Sequence, residues 1–221
     1  MKFLKIISFF LPWFLRRRLL NKCFGYKIHA NARIGFAWVF PKELILAADS
    51  KIDHFNVAIH LNKIELGAKA TISRGNWITG FPKNSDSHHF KHQPDRKAEL
   101  IVGEASNITK NHHFDCTSHI HIGRFTTIAG YQSQFLTHSI DLYENRQDSN
   151  PILIGDYSFI GTNVVVLGGS TLPSHSVLGA KSLLNKQFSE EWILYGGIPA
   201  KKISEIPKTA KYFTRDEGYV Y

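Results

Sequence analysis

Twelve histidines are the side chains best placed to do chemistry in this 221-residue chain. A neutral imidazole can ligate a metal or take a proton near pH 7. Three of them, His88, His89 and His92, crowd into one stretch and suggest a metal site. No cysteine or well-placed carboxylate completes that set, so a solvated loop is the simpler reading and no metal is expected. His112, His113, His119 and His121 fall on stretches that read as strand, as exposed side chains or partners for backbone carbonyls, with some able to line a groove. His138, in Leu136-Thr137-His138-Ser139-Ile140-Asp141, opens a loop, where it is either a satisfied histidine or a working one. Cys23 and Cys116 form no metal or redox motif, which fits two reduced thiols in a cytoplasmic protein.

The elements that must hold these groups are announced by residues 154–185. One aliphatic residue returns there at every sixth position: Ile154, Ile160, Val166, Leu172, Leu178 and Leu184. Small or turn-forming residues follow (Gly155, Gly161, Pro173, Gly179), and Ser158, Ser170, Ser176 and Ser182 recur just before the next aliphatic position. A period of six matches neither a helix nor a simple strand. It is the mark of hexapeptide repeats wound into a parallel β-helix, three hexads to a triangular coil. The aliphatic residue points into the prism, a serine sits at the inner corner, and several coils must stack because one alone cannot bury its apolar side. Upstream the register is looser: Ile28, Ile34, Phe40, Leu46, Ile52 and Ala58, then Leu66, Ile72 and Ile78, then Val102, Ile108 and Phe114, then Ile122 and Ile128.

Two stretches match no repeat and read as loops from corners, residues 80–98 and 139–151. Three parts result: an apolar and basic N-terminal helical segment over 1–27, the β-helix over 28–203, and a tail or docking extension over 204–221. A chain with 43% hydrophobic and 20% charged residues makes one domain with such extensions. The formal net charge is +9, and Lys2, Lys5, Arg16, Arg17, Arg18, Lys22 and Lys27 all precede residue 28 with no acidic residue among them. The apolar run over 3–15 is too short to span a bilayer and lacks the layout of a signal peptide. Either it lies on an anionic membrane surface, contacted through residues 1–20, or it caps the open end of the prism. Pro12 should kink or end any helix there. Nucleic acid is a poor partner, because the basic groups accompany apolar residues instead of an aromatic-lined groove.

The hexads, the Leu136–Asp141 segment around His138, and the ending Tyr195-Gly-Gly-Ile-Pro-Ala-Lys201 together resemble hexapeptide-repeat acyltransferases. The maltose, galactoside and polysaccharide O-acetyltransferases are the nearest subgroup. The resemblance covers residues 100–206 well, and the N-terminal half by period only. It implies a left-handed β-helix, an exception to the right-handed crossover rule, and a homotrimer with acetyl-CoA in the groove between two subunits. It also implies that His138 removes the proton of a sugar hydroxyl attacking the thioester, with no covalent enzyme intermediate. Asn111 and Asp115 are then candidates for contacting the acceptor, and Asp141 for orienting the loop or the imidazole. Thr162, through its backbone N–H, would face the developing oxyanion, with Ala180 along the pantetheine arm and Gly161 in a tight corner. Asn185, Lys186 and Lys201 would meet the adenosine and phosphate portions of acetyl-CoA.

The expected activity is acetyl-CoA-dependent O-acetylation of a sugar, polysaccharide or glycolipid acceptor in surface glycan synthesis, in the cytoplasm or at the cytoplasmic membrane face. An N-acetyltransferase of an amino sugar and an antibiotic acyltransferase remain open within the same fold. From other classes, a metalloprotein resembling γ-carbonic anhydrase and a non-catalytic β-helix scaffold also remain.

Overall fold

Backbone stacking between coils dominates the computed structural model, which describes residues 2–83 and 87–220. Asn84, Ser85 and Asp86 of the first loop, Tyr221 of the tail, Met1 and the Lys2 side chain lie outside the described residues. Three parallel sheets of seven, nine and seven strands form the faces of a prism, and the chain visits them in turn. The first face begins at Lys27–Ile28, the second at Arg33–Ile34 and the third at Trp38–Phe40. The architecture is the expected left-handed parallel β-helix.

Each face buries one column of like residues. The first aligns Ile28, Leu46, Leu66, Val102, Ile122, Ile154 and Leu172. The second aligns Ile34, Ile52, Ile72, Ile108, Ile128, Ile160 and Leu178. On the third, Val39, Ala58, Ile78, Phe114, Phe135, Val166 and Leu184 are in register. Val39, not Phe40, therefore holds the first position of that last column. Phe40 is buried instead at the end of the prism, against Phe24 with ring centroids 5.8 Å apart. The small inner-corner residues bond sideways, coil to coil: Ser106 Oγ donates to Gly123 O (2.6 Å) and accepts from Thr126 N (2.9 Å).

Both ends are covered. Helix α1 (Lys2–Phe10) stops before Pro12, which becomes the N-cap of α2 (Trp13–Phe24), and Gly25 closes α2 in the left-handed region at φ 69°. Helix α2 plugs the first coil. Leu20 is fully buried, and Arg16 donates to Gly35 O and Ala37 O at 2.8 and 2.7 Å. Trp13 Nε1 donates to Ala32 O at 3.1 Å, and Asn21 Nδ2 to Ile28 O at 3.1 Å. At the other end an antiparallel pair, Ile193–Gly197 with Ala200–Glu205, continues the second face. The tail then turns back along the prism. Tyr212 OH donates to Ser158 O (3.0 Å), and Asn107 Nδ2 donates to Gly218 O (3.0 Å).

The corner between the second and third faces carries a polar column of Asn56, Asn76, His112 and Ser133. Ser133 N donates to His112 Nδ1 at 3.1 Å, which leaves the ring proton on Nε2, 2.9 Å from Thr109 Oγ1. Burial pushes this imidazole down to about 4, because the charged form loses its solvation. The folded chain thus refuses a proton that the unfolded chain accepts below about 6.5. His112 therefore costs nothing above that pH and draws down stability as pH falls from about 6.5 to 4, by up to about 3 kcal/mol. His112→Asn, which installs the residue used one coil earlier, should flatten the pH dependence of the urea midpoint across that window.

Candidate active site

The coil length shows where extra residues leave the prism. One turn of the first face takes 18 residues from Ile28 to Leu46 and again from Ile154 to Leu172. It takes 36 residues from Leu66 to Val102 and 32 from Ile122 to Ile154. Both excursions leave the same edge, between the third and first faces, after Trp77–Thr79 and after Gln134–Leu136. The coil between them, carrying His113–Asp115, has no insertion and becomes the floor of a cleft of about 570 Å³. Thr79, Phe81, His89, Phe90, His113, Asp115, Thr117, His138 and Gln147 line it.

The second excursion is an antiparallel hairpin, His138–Asp141 with Arg146–Ser149, where a loop was expected. Asp141 makes its turn: Oδ1 accepts from Tyr143 N (3.1 Å) and Glu144 N (3.2 Å), and Oδ2 lies 3.8 Å from Arg146 Nε. The two excursions are tied together. Gln93 Nε2 donates to Asp148 Oδ1 (2.6 Å) and Ser149 O (2.9 Å), and Ser149 Oγ returns a bond to Gln93 Oε1 (2.8 Å). Buried Arg96 pins the base of the first excursion, donating to Phe81 O (2.6 Å) and to Thr117 O while its guanidinium lies 4.5 Å from the Phe90 ring centre. Desolvation lowers the Arg96 pKa, and the charge of Asp115 opposes that fall.

His138 stands at the root of the hairpin, half-exposed, with its ring edge-on to Phe90 at 5.8 Å. Its Nδ1 faces Asp115 Oδ2 at 3.7 Å. The other carboxylate oxygen of Asp115 accepts from Thr117 N (3.0 Å) and Thr117 Oγ1 (2.6 Å), so the carboxylate is held from behind. A carboxylate at Nδ1 favours the N–H on that nitrogen and leaves the Nε2 lone pair toward the cleft. The Gln147 carboxamide meets Nε2. A carboxamide suits either state of the ring, its NH2 donating to a neutral Nε2 and its oxygen accepting from an imidazolium.

The residues singled out in the sequence separate into groups. His138 and Asp115 come together, and Asp115 faces the imidazole at the floor of the cleft. Asn111 does not join them: it occupies the corner at the other end of the same strand, four residues or roughly 13 Å from Asp115. Asp141 orients the hairpin and has no printed bond to the imidazole. Gly161, Thr162 and Ala180 stack on the edge between the second and third faces, where a Cβ on Gly161 would stand 2.6 Å from Ala180 N. Thr162 Oγ1 donates to Tyr131 O at 3.2 Å on that edge. Lys201 pairs with Gly196 at its far end. Asn185 and Lys186 lie on the His138 edge, two coils or roughly 10 Å further along. One chain thus holds the two groups a strand width apart, roughly 15–20 Å.

Gln147, Phe81, Phe90, Thr117 and Arg96 escaped the sequence reading. Only the loss of the six-residue period marked their stretches. The histidine cluster of the first loop is dispersed: His89 reaches the cleft, and His92 pairs with Asp148 at 3.7 Å. Among the described residues, no group of three His, Cys, Asp or Glu could hold a metal ion.

No family model matches the chain. No curated protein matches it either. Solved structures do. An N-acyltransferase, AntD of Bacillus cereus, in complex with dTDP and coenzyme A, is 13% identical, with 82% of this chain and 85% of that one covered and a TM-score of 0.53. A hexapeptide-repeat acetyltransferase of Vibrio cholerae is 21% identical over 93% of this chain and 88% of its own, with a TM-score of 0.49. The polySia-specific acetyltransferase NeuO is 19% identical over 84% and 90%, with a TM-score of 0.46. The chain is therefore a hexapeptide-repeat left-handed β-helix, and it shares the fold of the N-acyltransferase AntD.

Proposed function

We propose that this chain is an acetyl-CoA-dependent O-acetyltransferase of a sugar hydroxyl, working in the cytoplasm on a precursor of a surface polysaccharide or glycolipid. One observation carries the reading: an imidazole backed by a fixed carboxylate at the floor of a cleft with aromatic walls. Phe81 and Phe90 suit the apolar face of a pyranose, while Thr79, His89 and His113 offer partners for its hydroxyls. The acceptor hydroxyl takes the place of the Gln147 carboxamide at His138 Nε2. His138 accepts its proton as the new C–O bond forms, Asp115 stabilises the imidazolium, and His138 then passes the proton to the departing sulfur.

Acetyl-CoA supplies the acyl group as a thioester. The edge formed by Gly161, Thr162 and Ala180 is built of small side chains and flanked by exposed Lys181 and Lys201, which fits a narrow pantetheine arm with phosphates at its end. Asn185 and Lys186 would meet the same ligand from the His138 edge. Because one chain cannot bring both edges together, the site we propose lies between two copies in a homotrimer.

His138→Ala should lower kcat by on the order of 10²–10⁴ in thiol-release assays with hydroxyl sugars, with sedimentation mass unchanged. Transfer to amino sugars alone would make the enzyme an N-acyltransferase, and undiminished turnover would remove His138 as the base. Asp115→Asn should reduce kcat by up to about 10²-fold while the KM for acetyl-CoA holds, with partial recovery in Asp115→Glu. Mixing inactive His138→Ala chains with inactive Ala180→Trp chains should restore part of the activity. A shared site regains one intact pairing in the mixed trimers, whereas a site within one chain regains none.

A further inference from the structure

We infer that helix α1 and the adjoining face of α2 form a docking surface for an anionic lipid bilayer, a role independent of acyl transfer. Phe3, Ile6, Ile7 and Phe10 fall on one stripe of α1 and are exposed, Phe3 and Phe10 at 73% each. Phe14 and Leu15 extend the apolar surface onto α2, where Arg18 and Lys22 follow on the exposed side. The prism is plugged by Leu20 and the polar bonds of α2, so the stripe on α1 covers none of the core columns. At 9 and 12 residues the helices are too short to cross a bilayer, and they suit lying along its surface.

Charge selects the occupant. Residues 1–42 contain nine Lys and Arg and no Asp or Glu, leaving 18 basic against 18 acidic residues in the remainder. The whole excess of +9 therefore accompanies the apolar stripe. Between the helices and the first coils lies a cleft of about 360 Å³ lined by Phe9, Trp13, Arg16, Arg33 and Lys51, with Asp53 as its one carboxylate. That lining suits a headgroup phosphate. A second copy laid on this surface would bring like charges together, which is unfavourable. Acidic headgroups neutralise them.

The full-length chain should co-sediment with vesicles of phosphatidylcholine containing phosphatidylglycerol, less with phosphatidylcholine alone, and less as salt rises. Arg18→Gln and Lys22→Gln should each weaken binding about fivefold. The exposed double variant Phe3→Ser with Phe10→Ser should lose binding to both vesicles with unchanged circular dichroism and thermal midpoint. Absence of wild-type binding to either vesicle would overturn the inference. So would a fall in sedimentation mass of the double variant, which would assign the stripe to a subunit contact. Neither readout depends on acetyl transfer, so this inference and the enzymatic proposal fail separately.

Discussion

The requirement that each coil place the same kind of side chain directly over its neighbour governs this molecule. Backbone groups on each face bond to the coils above and below, and the aliphatic columns are continuous from Ile28 to Leu172 on the first face and from Ile34 to Leu178 on the second. Burying one such side chain contributes about 1.5–3 kcal/mol, and a slip by one residue would turn it outward. Additional sequence can therefore enter only at a corner, directed away from the axis. Two insertions at the same corner, with one uninserted coil between them, leave a recess whose floor is a strand and whose walls are insertions. The cleft follows from the stacking rule.

That origin divides the site into rigid and adjustable parts. Asp115 belongs to a strand of the prism, and its carboxylate is fixed by Thr117. His138 follows Thr137, which is buried and bonded on both sides, donating to Asp115 O (2.7 Å) and accepting from Ser118 N (2.8 Å). The proton-handling pair is thus set by the scaffold. Gln147, Phe81 and Phe90 stand on the insertions, where chemistry toward an acceptor can change without disturbing a column. Arg96 and Gln93 join the insertions to the scaffold and to each other, which limits how far the walls can shift.

Legibility in the sequence followed the same division. Positions inside the columns were readable because one apolar residue per hexad has no alternative place to go, and Ile154 through Leu184 all fall where the period puts them. Phe40 departed from it because the first coil has a helix for a neighbour instead of another coil, and a large ring fills that gap while Val39 keeps the register. Phe135 departed because the preceding corner is longer than the period allows. Within the site, His138 could be picked out by its place before a break in the repeats. The facing of Asp115 and His138 could not, since they are 23 residues apart and meet only through coil stacking. Asn111 shows the converse error. It is close to Asp115 along the chain, but a strand carries it to the opposite edge.

The N-terminal segment offered two readings that a period cannot rank, and Pro12 separates them physically. By ending one helix and starting another, it lets α2 meet the exposed carbonyls of the first coil through Trp13, Arg16 and Asn21. Those polar bonds, with Leu20, are sufficient to close the prism. The apolar residues of α1 are then surplus to the cap. Only its inward side is used, where Phe9 lies 4.0 Å from the ring of Phe36. A segment needed merely as a lid could have ended at α2. The outer stripe of α1 costs free energy in water, and that cost is relieved only when something apolar covers it.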